Sequence, residues 1–217
     1  MTPASETSAT MALQGSLLDQ CDELGLRGLG RAVTRRHLDH GAWVDIRPGW
    51  LTGSDELFAH LRSAVDWRGE RRWMYEREVE TPRLLRFYAE DERLPHPLLP
   101  EMRDYLSAHY ARELGEPFVT AGLCLYRDGR DSVAWHGDRE GRSATADTMV
   151  AIVSVGAPRP LTLRPRGGGS SIKYLLGHGD LVVMGGSCQR TWDHAVPKVA
   201  GLRDARISIQ FRTAGVR

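Results

Sequence analysis

From Phe118 onward the chain alternates apolar and polar residues with a period of two, the pattern of half-buried strands. It predicts strands over Val119–Tyr126, Ser132–Gly137, Thr148–Val155, Pro160–Arg164, Ser171–Leu176, Asp180–Met184 and Arg206–Arg212. Turn signals separate them, among them Asp128-Gly129 and Gly177-His178-Gly179-Asp180. Short strands at regular spacing predict a sandwich or a barrel. Upstream, apolar residues fall at helical spacing twice. Ser54, followed by Asp55 and Glu56, predicts an N-cap for a helix to Val65 that carries Leu57, Phe58 and Leu61 on one face. Pro100–Leu114 predicts a second helix, with Met102, Tyr105, Leu106 and Tyr110 as its stripe. Ala42–Ile46 and Leu84–Tyr88 read as further strands.

The expected organisation is a flexible extension over residues 1–40, helices and a lid over 41–117, and a β core over 118–217. Leu17–His40 has no confident assignment; it reads as a solvated extension or as a nucleic-acid arm. Between Trp67 and Glu80, aromatics mix with both signs of charge. Two readings stay open there: an amphipathic hairpin across the barrel mouth, or Trp73, Met74 and Tyr75 stacking on an extruded base. Arg166–Ser170 lacks a following helix and reads as a hairpin loop rather than a phosphate cradle.

The 217 residues suffice for one well-cored domain plus an extension, and the net charge of +1 decides nothing about nucleic acid. No apolar run has membrane-span length and no signal-peptide pattern opens the sequence. Cys21, Cys124 and Cys188 are odd in number and widely spaced, which fits a reducing cytoplasm.

The chemistry concentrates between Ala134 and Arg212. His136 and Asp138 are two apart, so on a strand they share a face, and His194 can return from a neighbouring strand. Two imidazoles and one carboxylate leave open positions on an octahedral ion, the donor set of non-haem Fe(II) oxygenases. In Arg206–Arg212, Ile207, Ile209 and Phe211 take one face; Arg206, Ser208, Gln210 and Arg212 take the other. Two fixed guanidiniums require anions, and a dicarboxylate supplies them bidentately. The pairing of triad and arginine strand points to a metal-bound 2-oxo acid. The other histidines read as surface or packing residues.

Leu125-Tyr126-Arg127-Asp128-Gly129, His136-x-Asp138-x-Glu140, His194 and Arg206-x-Ser208-x-x-x-Arg212 together resemble the AlkB family of Fe(II)/2-oxoglutarate dioxygenases, from about Thr81 to Arg212. The resemblance implies a mainly β fold with flanking helices around a double-stranded β-helix (jelly-roll) core. It implies Fe(II), 2-oxoglutarate and O2, and oxidative demethylation of N-alkylated bases with release of formaldehyde, succinate and CO2. On this resemblance His136, Asp138 and His194 hold the metal. Tyr126 and Arg206 meet the distal carboxylate of the co-substrate, with Cys124 and Ser208 beside them, and Arg212 lies nearer the metal-bound carboxylate or pairs with a nearby acid. Glu140, Arg83 and Tyr88 become substrate contacts beside Trp73 and Tyr75, and Trp135 and Trp192 wall the site or pack between sheets. The chain departs from the family where Cys124 and Ser208 stand for frequent asparagines and Gln210 for a frequent threonine, and a thiol is the weaker hydrogen-bond donor. The expected partner is alkylated nucleic acid, DNA over RNA and single strands by a small margin, met by a monomer without a membrane. The alternatives are an oxygenase of a protein side chain or small metabolite, and a non-catalytic reader of alkylated nucleic acid.

Overall fold

The computed structural model describes residues 22–74, 77–138 and 141–216, with side chains left undescribed over 71–80 and at Leu114. Its N-terminal elements are β1 (Gly25–Leu26), β2 (Thr34–His37), β3 (Ala42–Arg47), β4 (Leu51–Thr52) and α1 (Ser54–Ala64). Next come β5 (Arg68–Met74), β6 (Arg77–Tyr88), α2 (Leu98–His109), α3 (Ala111–Leu114), β7 (Thr120–Tyr126) and β8 (Val133–His136). The remainder is β9 (Val150–Gly156), β10 (Arg159–Pro165), β11 (Ile172–Leu176), β12 (Asp180–Gly186), α4 (Cys188–Thr191), β13 (Trp192–Val196) and β14 (Arg206–Arg212).

The strands build an eight-stranded sheet, β2-β3-β12-β9-β14-β7-β6-β5, and a four-stranded one, β11-β10-β13-β8, with every pairing antiparallel. β3, β5 and β6 share the large sheet with β7, β9 and β14, so the sheet has no break at residue 117. The large sheet is covered on both faces. Leu57 and Leu61 of α1 and Leu99, Met102 and Leu106 of α2 pack with Leu123, Val153, Ile207, Ile209 and Phe211 on one side. On the other, Val44, Ile152, Val182 and Met184 meet Leu161 and Leu163 of the small sheet. That double cover explains why β9, Val-Ala-Ile-Val-Ser-Val, is buried without alternation.

All seven strands expected after Phe118 form, with ends moved by at most a few residues. Trp192–Val196, whose aromatic and charged start hides the period of two, is an additional strand. The helix expected from Pro100 to Leu114 is two, separated at Tyr110 where φ is −96° and ψ is 13°. Ser54 does not cap α1; its Oγ donates to the Leu51 carbonyl at 3.0 Å, and left-handed Gly53 is the capping residue. A Cβ on Gly53 would stand 2.6 Å from the Leu24 backbone. That contact shows how closely residues 22–26 lie against the domain. The expected shapeless extension therefore gives way, from residue 22, to β1 against β4 and β2 against β3. Interspersed glycines and a run of polar and charged residues, Thr34-Arg35-Arg36-His37, conceal these short edge strands.

Phe211 is fully buried on the helix side of β14. Phe211→Ala is expected to destabilise the fold by about 3–5 kcal/mol. Chemical denaturation checks this, and an unshifted midpoint would contradict the packing.

Candidate metal centre

Strand pairing brings the two imidazoles together. His136 of β8 stands opposite His194 of β13, with ring centroids 4.2 Å apart. β8 is the edge of its sheet, and both imidazoles line the space between the sheets. The His136 Nδ1 lies 2.9 Å from the Ala134 carbonyl oxygen. A carbonyl only accepts, so Nδ1 carries the proton and Nε2 keeps its lone pair for a metal.

Asp138 lies beyond the end of β8, so a loop, rather than a continued strand face, delivers it. Its backbone N–H donates to Oε1 of buried Gln189 at 3.1 Å, and the Ser143 hydroxyl donates to its carbonyl. Asp138 Oδ1 stands 3.7 Å from His136 Nε2, while Oδ2 accepts from Arg212 Nε at 2.8 Å. One oxygen is thus held by Arg212 and the other is left toward the imidazoles. Burial pushes the Asp138 carboxyl upward, but the charge of Arg212, then of His194 and His136, holds it well below the usual carboxylate range. The ligating atoms of His136, Asp138 and His194 lie within 4.8 Å of one another. Two imidazoles and a carboxylate, with a cavity on the open side, suit Fe(II).

The triad borders a cavity of about 700 Å³ between the sheets. Register decides what else faces it. Arg206, Ser208 and Gln210 of β14 pair with Tyr126, Cys124 and Gly122 of β7, all on the face opposite Ile207, Ile209 and Phe211. Arg206 is 2 % exposed; its Nε donates to Ser154 Oγ at 2.8 Å and its guanidinium stands 5.2 Å from the Tyr126 ring centroid. Its Nη1 is buried and has no hydrogen-bond partner among the described residues. Burial lowers the pKa of Arg206, and burial raises Tyr126 to about 12, so the phenol keeps its proton. A buried fork with an unused donor beside a protonated phenol fits a carboxylate. Gln210 links the rest of the face, donating to Ser208 Oγ at 3.2 Å and Cys124 Sγ at 3.5 Å and accepting from Arg212 at 2.5 Å. Arg212 therefore pairs with an acid that is itself one of the triad.

The mouth is formed by the β5–β6 hairpin, where Arg68, Glu70, Arg83 and Phe87 line the cavity. Tyr88, expected beside Arg83, has the opposite parity five residues on and packs in the core beneath the helices, with Arg86 over its ring at 4.6 Å. Trp135, next to His136, likewise turns outward under Arg164, whose guanidinium is 4.3 Å from its ring centroid. Trp192 packs between the sheets and donates to the Asp39 carbonyl at 3.4 Å. Neither tryptophan walls the cavity. The backbone of Trp73 lies on β5 opposite Glu78; its side chain, and all of Tyr75 and Glu140, lie outside the described residues. Ser154, Gln189 and Glu70 carry no sequence signal, because only the folded chain shows what they face.

Residues 53–212 match the family profile described as the 2OG-Fe(II) oxygenase superfamily. The chain is 30 % identical over 195 residues to the alpha-ketoglutarate-dependent dioxygenase alkB homolog 3 of Bos taurus, covering 78 % of this chain and 65 % of that protein. It is 32 % identical over 136 residues to the DNA oxidative demethylase ALKBH2 of Arabidopsis thaliana, covering 52 % of this chain and 43 % of that protein. The chain thus spans less than two thirds of the length of these relatives. Among solved structures it is similar in fold to a prolyl hydroxylase of Trichoplax adhaerens bound to a hypoxia inducible factor peptide, with a TM-score of 0.58, 13 % identity and coverage of 78 % and 83 % of the two chains. The profile match, the jelly-roll likeness and the His-Asp-His group agree: this chain belongs to the 2OG-Fe(II) oxygenase superfamily.

Proposed function

We propose that this protein is an Fe(II)/2-oxoglutarate-dependent dioxygenase that demethylates N-alkylated bases in nucleic acid, releasing formaldehyde, succinate and CO2. The observation that carries the reading is the pairing, in one cavity, of a two-His, one-Asp group with a buried guanidinium that has an unused donor. The relatives named for alkB and for DNA oxidative demethylation support the substrate class.

His136, Asp138 and His194 would hold the metal, and the metal with 2-oxoglutarate and dioxygen supplies the oxidising power that side chains lack. The chain's own groups do the rest. Arg206 receives the distal carboxylate through its open donor, with Tyr126 donating its retained phenolic proton. Ser208 and Cys124, tied together through Gln210, form the floor beside it. Arg212 fixes one oxygen of Asp138, which leaves the other free to ligate. Val133, Ile152 and Leu161 give the cavity apolar walls that exclude water around the alkyl group. Arg83, which lines the cavity, contacts the nucleotide; by sequence, Trp73 and Tyr75 are the stacking surfaces and Glu140 the acid that attracts a base made cationic by methylation. Tyr88, in the core, drops out of this set.

The partner is alkylated DNA ahead of RNA, single strands by a small margin, and the protein acts as a cytoplasmic monomer. Cys124 and Cys188, both free thiols, support a reducing compartment. Among the described residues, no helix is long and apolar enough to cross a membrane.

Oligonucleotides carrying 1-methyladenine or 3-methylcytosine are expected to lose the methyl group when incubated with the protein, Fe(II), 2-oxoglutarate and air, as read by mass spectrometry. Omitting 2-oxoglutarate or substituting His136→Ala is expected to abolish the loss. Turnover of 2-oxoglutarate to succinate without demethylation would move the substrate to a protein side chain or small metabolite. Demethylation that survives His136→Ala would sink the metal assignment.

A further inference from the structure

Among the described residues, Cys124 and Cys188 are free, buried thiols, and the fold treats them differently. Cys188 opens α4 inside the layer between the sheets, where burial pushes its thiol up to about 12. It stays protonated and unreactive. Cys124 lines the cavity. Its sulfur accepts from Gln210 Nε2 at 3.5 Å. Cys124 pairs with Ser208 and Tyr126 with Arg206, so Cys124 is one diagonal step from Arg206 on the same face, within reach of a long side chain. The same compartment holds the open Nη1 donor of Arg206, a side chain that is 98 % buried by its 2 % exposure.

We propose that Cys124 is a reversible oxidation site at which hydrogen peroxide converts the thiol to a sulfenate that occupies the Arg206 donor and shuts 2-oxoglutarate out. This rests on the reading of the cavity as the 2-oxoglutarate site. In the step, the Cys124 thiolate attacks one peroxide oxygen. An S–O bond forms, the O–O bond breaks, and hydroxide leaves and takes up a proton to become water. The sulfur loses two electrons and the peroxide gains them. The sulfenate oxygen then pairs with the guanidinium and accepts from the Gln210 amide already directed at the sulfur. A dithiol reductant reverses it: one thiol displaces water at sulfur, and the second closes the reductant's own disulfide and frees Cys124. Cys188, enclosed by Trp192 and the inter-sheet apolar residues, should not respond.

The full chain loaded with Mn(II), which does not turn over, is treated with hydrogen peroxide. Sulfenate is tagged with dimedone and located by peptide mass spectrometry, while 2-oxoglutarate binding is measured by calorimetry. The tag is expected on Cys124 and not on Cys188, and bound 2-oxoglutarate is expected to suppress it. Oxidised protein is expected to bind 2-oxoglutarate about tenfold or more weakly, the scale of one charge-assisted hydrogen bond. Dithiothreitol should restore the affinity. In Cys124→Ala, binding at whatever level it starts is expected not to respond to peroxide. No tag on Cys124, a tag without loss of affinity, or equal loss in Cys124→Ala would each overturn the inference and leave the proposed activity standing. Untreated protein that fails to bind 2-oxoglutarate would overturn both.

Discussion

A guanidinium at 2 % exposure, with no carboxylate partner among the described residues, is the constraint around which this fold is arranged. Burying a charge without a counter-ion costs several kcal/mol even after relaxation. Arg206 is partly compensated, by the Ser154 hydroxyl on Nε and by the face of Tyr126. Its Nη1 keeps no hydrogen-bond partner among the described residues, and Arg206 lines the cavity that the metal triad also borders. The neighbouring guanidinium, Arg159, is equally buried but gives its Nη groups to the carbonyls of Asp128, Asp131 and Pro197, closing the loops behind Tyr126. Of these two arginines flanking one phenol, Arg159 ties loop carbonyls together and Arg206 keeps an Nη without a protein partner among the described residues.

The sheet architecture makes such an arginine tolerable. β14 runs through the middle of the large sheet, so its backbone is paired on both sides and its side-chain positions are rigid. Its odd positions belong to the core under the helices, and that burial anchors the even, polar positions in the layer between the sheets. The small sheet closes this layer with Leu161 and Leu163, and at its far edge turns His136 and His194 inward. Gln210 connects the arginine that orients Asp138 to the residues beside Arg206, so the metal end and the anion end of the cavity share one hydrogen-bonded strand face.

Much of this was legible in the sequence because a period of two is a strong signal. Arg206-Ile-Ser-Ile-Gln-Phe-Arg212 reads directly as one core face and one functional face, and so it folds. The same rule, applied strictly, would have placed Tyr88 away from Arg83 and Trp135 away from His136; proximity along the chain outweighed parity in both expectations. Asp138 was found for a reason that does not hold, since the strand ends at His136 and a loop tethered by Gln189 and Ser143 does the placing. Contacts such as Ser154 to Arg206 join residues 52 positions apart, and no local pattern encodes a register.

On the proposed function, Arg206 receives the second carboxylate of a 2-oxo diacid. Anaerobic calorimetric titration of the Fe(II)-loaded chain with 2-oxoglutarate and with 2-oxobutanoate, which lacks that carboxylate, decides whether it does. 2-Oxoglutarate is expected to bind at least about tenfold tighter, the scale of a charge-assisted hydrogen bond, and Arg206→Met is expected to bring the two acids to equal affinity. Equal affinities in the unaltered chain, or an undiminished preference in Arg206→Met, would contradict it.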